Sequence, residues 1–249
     1  MRRSLNEISG YHLQAMDDEI GRCKDFLFDD RGWVVRYMVA DTHAWLPGGR
    51  KVLISPISLG EPSWEHKSLP VKLMREAIEK APSLDKRKPV SREYENAFFT
   101  YYGYGLYWTG VNTWGPYPNP APLVDSKASD PSVNKPDMHE GHLRSANEVK
   151  GYDIEATDGA IGHVADFILS DDNWAIVYLV VDTSNWLPGG RKVLIAPDWL
   201  KSVSWAKRSV NITLSVQQVK DSPQFDPDVF VDQKYEEKLH RYYAFIRNK

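Results

Sequence analysis

The sequence predicts a mainly β, α+β chain built as two tandem copies of one small module, each a small sheet or barrel with helices at its C-terminal end. Three observations carry this expectation. A gap-free offset lays the segment GYHLQAMDDEIGRCKDFLFDDRGWVVRYMVADTHAWLPGGRKVLISPISL, from Gly10, onto that from Gly151, with about 26 of 50 positions identical. Within each copy, apolar residues alternate or run together as they do in strands. Each copy then ends on aromatic residues at helical spacing.

The elements follow in order along each copy. IGRCKDFLFDD and WVVRYMVADT in the first, IGHVADFILSDD and WAIVYLVVDT in the second, read as paired strands. DDRGW and DDNW join them as hairpin turns, because Asp, Asn and Gly tolerate the backbone that closes two twisted strands. In WLPGGRKVLI, Pro-Gly-Gly makes a tight turn that feeds another strand. KSLPVKL and RSVNITL predict a further strand, and VKLMREAIEKAP and SVQQVKDSP short helices stopped near a proline. Tyr94, Phe98, Tyr101 and Tyr102, matched by Tyr235, Leu239, Tyr242 and Tyr243, mark one face of a last helix, expected to pack on its own module, with a partner's groove as the alternative.

This organisation divides the chain into residues 1–104, a linker 105–144, and residues 145–249. The linker has no counterpart and is dense in Pro, Gly, Asn and Ser, so regular structure is not expected there. Its first half holds Tyr107, Trp108, Trp114 and Tyr117, which together with the preceding Tyr104 are too aromatic to stay solvated. They are expected to pack on a module or a partner. The SKASDPSVNKPD stretch is expected to be mobile.

Composition narrows the function classes. A formal charge of −3 gives no general attraction to phosphate, which argues against a nucleic-acid partner. No run of apolar residues is long enough for a membrane span, and the start lacks a signal peptide, so the expected address is the cytoplasm. The single cysteine, Cys23, excludes an internal disulfide and is expected to be a small core residue.

Taken together, the residues resemble the PRC-barrel family, found in the cytoplasmic domain of the photosynthetic reaction centre H subunit and in a ribosome-maturation factor. The opening G-Y-x-[LI]-x-A-x-D at Gly10 and Gly151 carries the resemblance, with Ile20-Gly21 and Ile161-Gly162, Asp25-Phe26 and Asp166-Phe167, and the WLPGGRKVLI block. The resemblance covers both modules and omits the linker. It implies a barrel of about six strands per module and a non-catalytic role in binding or assembly, with another protein as partner and no cofactor.

The polar motifs are weighed on the same terms. Gly-Gly-Arg-Lys lacks the spacing of a phosphate loop and feeds a strand, so Arg50, Lys51, Arg191 and Lys192 are candidates for meeting an acidic partner. Tyr104, Tyr107, Trp108, Trp114 and Tyr117 are the aromatic candidates for the same role. Asp25, Asp41, Asp166 and Asp182 recur in both copies, which points to turn caps and strand ends rather than to catalysis. His139 and His142 have metal-like spacing but fall in the linker, and no metal site is expected. Three functional readings result: a protein-binding module whose two barrels pair within the chain, a carrier or enzyme for a quinone-like or anionic small ligand, and an RNA- or ribosome-associated factor.

Overall fold

The structure, a computed structural model, describes residues 1–43, 51–82, 84, 89–124, 126, 142–184 and 190–247. The first half runs β1 (Arg2–Ser4), α1 (Leu5–Ile8), β2 (His12–Gln14), β3 (Glu19–Asp29), β4 (Val34–Asp41), β5 (Lys51–Ile54), β6 (Ser68–Pro70), α2 (Arg75–Glu79) and α3 (Arg92–Tyr102). The second runs β7 (Leu143–Ser145), α4 (Ala146–Val149), β8 (Asp153–Ala156), β9 (Gly159–Ser170), β10 (Ile176–Asp182), β11 (Lys192–Ile195), β12 (Leu200–Ser204), β13 (Ser209–Ile212), α5 (Val216–Asp221), β14 (Gln224–Phe225) and α6 (Gln233–Arg247).

The chain folds into two compact units. The N-repeat unit comprises residues Glu7–Ser145 and Asp172–Ala175, and the C-repeat unit Met1–Asn6, Ala146–Asp171 and Ile176–Lys249. The N-repeat sheet has the order β5-β4-β3-β2-β6, with β7 added on β3. The C-repeat sheet has the order β12-β13-β8-β9-β10-β11-β14, with β1 added on β9. A β-dominated α+β fold is therefore present, but the expected barrel is not: each sheet is an open path. The physical reason lies in the long strand. One edge of β3 pairs with β4, and the other is shared between β2 near Arg22 and β7 at Leu27 to Asp29.

The repeat is visible in the backbone itself. Trp33 and Trp174 close the two hairpins at φ 53° and 59°, and Lys67 and Arg208 sit at φ 46° and 54°. These are the positive-φ residues other than glycine among those described, and they fall into two pairs at the repeat offset. Gly21 and Gly162 show why glycine recurs. A Cβ there would lie 1.9 Å from the Asp41 carbonyl oxygen and 2.1 Å from that of Asp182, where β3 and β9 cross the ends of their neighbours.

The terminal helices are fixed in matching ways. Ser91 caps α3 by accepting from the Tyr94 amide at 3.2 Å, and Gly103 ends the helix in the left-handed region. Tyr94 and Tyr235 each donate to the carbonyl of a proline, Pro82 and Pro223, at 3.1 Å. Tyr101 and Tyr242 donate to Ala77 and Gln218 carbonyls. The expected stripe is shifted by part of a turn: α3 buries Glu95, Phe98 and Phe99, while Tyr101 is 41% exposed and acts through its hydroxyl. Cys23 is buried among the core residues of the N-repeat unit.

Candidate functional site

Two arrangements stand out, and the first concerns where the edge strands come from. Strand β1, which leads into the first repeat, pairs with β9 of the second: Arg2 opposite Ser170, Arg3 opposite Leu169, Ser4 opposite Ile168. Strand β7, which leads into the second repeat, pairs with β3 of the first: Leu143 opposite Asp29, Arg144 opposite Phe28, Ser145 opposite Leu27. Every one of these pairs maps onto its counterpart at the repeat offset. Each sheet thus takes an edge strand from the leader of the other repeat.

Side chains read the docked strand in the same way at both places. Ser145 Oγ donates to Asp25 Oδ2 at 2.6 Å, and Ser4 Oγ donates to Asp166 Oδ2 in the equivalent contact. Asp166 also accepts from the Asn6 amide at 3.1 Å, and Lys150 Nζ donates to Asn6 Oδ1 at 2.7 Å. Burial pushes the Asp166 carboxyl above its ordinary range against the pull of these donors. The recurring Asp-Phe motif is explained by this contact. Asp41 and Asp182 are strand-end caps, accepting from the amides of His43 at 3.1 Å and Ser184 at 2.9 Å.

Sequence reasoning placed the start of the repeat at Gly10 and left residues up to Arg144 without a counterpart. The repeat in fact begins earlier, since Arg3-Ser4-x-Asn6-Glu7 matches Arg144-Ser145-x-Asn147-Glu148 at the same offset. The signal was present but short, four identities over five positions, set off from the longer match by Ile8-Ser9 and Val149-Lys150.

The second arrangement is a buried polar cluster in the N-repeat unit. Glu95, on α3, is fully buried and accepts from Tyr107 at 2.6 Å and Tyr37 at 3.0 Å, both on Oε1. Arg92 Nη1 lies 2.8 Å from Glu95 Oε2, and His142 Nε2 lies 3.5 Å from it. Neither contact is aligned as a hydrogen bond, so that oxygen is balanced by charge rather than by a donor. Tyr107 Oη stands 3.2 Å from His142 Nε2, and Arg92 Nη2 3.4 Å. Arg36 lies over the rings of Tyr107 and Trp114 at 4.0 and 4.9 Å, donates to the Thr113 carbonyl at 2.7 Å, and pairs with Asp29 at 3.3 Å.

The electrostatics follow from depth. Burial raises the Glu95 carboxyl although Arg92, the two phenols and Arg36 oppose it. Burial and the adjacent carboxylate push Tyr37 and Tyr107 far above the usual phenol range. Burial and Arg92 hold the His142 imidazole below its ordinary value, which favours the neutral ring. Burial alone would raise Asp29, but Arg36 and the amides of Arg31 and Gly32 overcome it and lower the carboxyl.

Of the aromatic candidates, Tyr104, Tyr107 and Trp114 are buried in the N-repeat unit, and Trp108 and Tyr117 are half-buried. Phe99 meets Tyr104, Tyr107 and Trp108 at ring separations of 6.2, 5.6 and 5.3 Å, and Trp114 Nε1 donates to the Asn173 carbonyl at 2.7 Å. The linker packs on a module here without strands or long helices. Gly110 and Gly115 allow its tight fold, because a Cβ on either would come 2.7 Å from backbone of the same loop.

The basic candidates are spread. Lys51 is exposed at the head of β5 in the N-repeat unit, while Arg191 and Lys192 are half-buried at the head of β11 in the C-repeat unit. Lys51 stands opposite Asp41 and Lys192 opposite Asp182. Arg50, residues 45–49 and 186–189 of the Trp-Leu-Pro-Gly-Gly turns, His139 and residues 127–137 lie outside the described residues. Among the described residues no cluster of three or more His, Cys, Asp and Glu side chains could hold a metal, and no helix is long and apolar enough to cross a membrane. No protein-family model matches the chain, and no curated protein is similar to it.

Proposed function

We propose that the chain is a non-catalytic binding or assembly protein made of two strand-accepting modules of the PRC type that its sequence resembles, with another protein as its partner. The observation that supports this best is the repeated docking of a leader strand onto β3 and β9. Residues common to both repeats serve recognition of an extended segment: Asp25 and Asp166 receive its serine, and the long strand offers the edge on which the leader strand pairs. Lys51, Arg191 and Lys192 supply positive charge at the strand heads for an acidic partner surface.

The test compares the full chain with the variant Lys51→Glu, Arg191→Glu, Lys192→Glu, each immobilised and exposed to native extract. A protein captured by the unmodified chain, identified by mass spectrometry and bound at least tenfold more weakly by the variant in purified form, is the expected result. Capture of nothing beyond what bare resin retains would overturn the reading.

A further inference from the structure

We infer that the edge of β9 at Ile168 to Ser170 is a docking site for an Arg-Ser-x-Asn-Glu segment that a second copy of this chain can fill, giving a dimer by reciprocal exchange of β1. This goes beyond the partner-binding reading and does not depend on it. The site is built rather than incidental. Besides the three register pairs, Arg2 Nε meets Glu236 Oε1 at 2.7 Å, Ser4 and the Asn6 amide bind Asp166, Lys150 holds Asn6, and Leu5 is 1% exposed.

The donor also belongs to a different body from the residues that follow it. The division between compact units falls between Asn6 and Glu7, so the strand is seated in the C-repeat unit while the chain continues into the N-repeat unit. Nothing in the contacts of β1 depends on which copy of the chain supplies it. The same donor motif and the same acceptor recur at Arg144-Ser145 and β3, which shows that the pairing is a property of the segment and the edge rather than of one chain path. A swapped dimer keeps every strand contact of the monomer, opens the single turn of α1 that straddles Asn6 and Glu7, and gives up the advantage of a tethered donor. That advantage corresponds to an effective concentration on the order of millimolar for a flexible connection.

The experiment traps the strand where it docks. The full chain carrying Arg2→Cys and Ser170→Cys, which face one another in the register, is prepared in light and nitrogen-15 forms. Equal amounts are refolded together from urea at ~10 µM and ~1 mM and then oxidised, the upper value chosen to match the tether. Cross-linked peptides joining positions 2 and 170 are read by mass spectrometry. We expect mixed-isotope cross-links to rise several-fold between the two concentrations. Cross-links of a single isotope at both concentrations would overturn the inference.

If the cysteine variant does not refold, the unmodified chain is treated identically and its mixed-isotope dimers are counted by native mass spectrometry beside those of the chain lacking residues 1–6, which has no β1 to exchange. The exchange account expects several-fold fewer dimers without β1. Equal abundance in the two, or no dimer in either, would overturn it.

Discussion

Both repeats place a tyrosine of the second long strand against a glutamate of the last helix, yet they bury the pair to different depths. Tyr37 and Glu95 are sealed in the N-repeat unit by Tyr107, Trp114 and His142 of the linker, and two arginines balance the charge. Tyr178 and Glu236, at the same repeat positions, meet at 3.2 Å with His240 and Arg2 beside them, and the Glu236 side chain is 19% exposed. The positions of Arg36 and Arg92 are taken by Val177 and Gln233 in the second repeat. A shared pair is thus a linker anchor where buried cations and an inserted aromatic loop surround it, and a half-buried pair where they do not.

The largest test of this contrast is removal of the carboxylate. Glu95→Ala strands two buried phenols and Arg92, and should cost about 3–5 kcal/mol in urea unfolding. Glu236→Ala, partly open to water, should cost about 1 kcal/mol or less. Equal losses would remove the distinction. Next come the positions where the repeats should agree: Gly21→Ala and Gly162→Ala each drive a Cβ into a strand carbonyl and should each cost more than about 2 kcal/mol. A marked inequality there would mean that the two crossings are not equivalent.

These contrasts also show what could be read without coordinates. The hairpins and the terminal helices were legible because they repeat, and repetition exposes residues such as Gly21 and Gly162 whose reason is local. Open sheets in place of barrels were not legible, since closure depends on which strand covers the far edge of β3, and that strand comes from residue 143 onward. The Glu95 cluster was hidden for a related reason. Its members sit at Asp29, Arg36, Tyr37, Arg92, Tyr107 and His142, at no fixed spacing, and His142 looked like part of a solvated linker. Tyr107 was noticed for its aromaticity, not for the hydroxyl that binds Glu95.

A smaller effect sharpens the comparison at that hydroxyl. Tyr107→Phe keeps the ring under Arg36 but removes a donor from a buried carboxylate, and should cost about 1–3 kcal/mol. Tyr178→Phe should cost less, because Glu236 retains Arg2 and water. The smallest effect is one of slope. His142 has its pKa lowered in the folded chain, so the unfolded chain binds its proton first. The stability that a neutral His142 supports is present above the ordinary histidine value of about 6.5 and is lost as pH falls below it toward the folded value. His142→Gln should therefore lose less stability than the unmodified chain between about pH 7.5 and about pH 5.5. An identical or steeper loss in the variant would contradict the assignment.

The exchange of leader strands is the claim on which the rest depends, and nuclear Overhauser contacts across the strands test it directly in the uniformly labelled full chain. The account predicts contacts joining Arg3 to Leu169 and Arg144 to Phe28. Contacts joining Arg3 to Phe28 and Arg144 to Leu169, each leader lying on its own repeat, would contradict it.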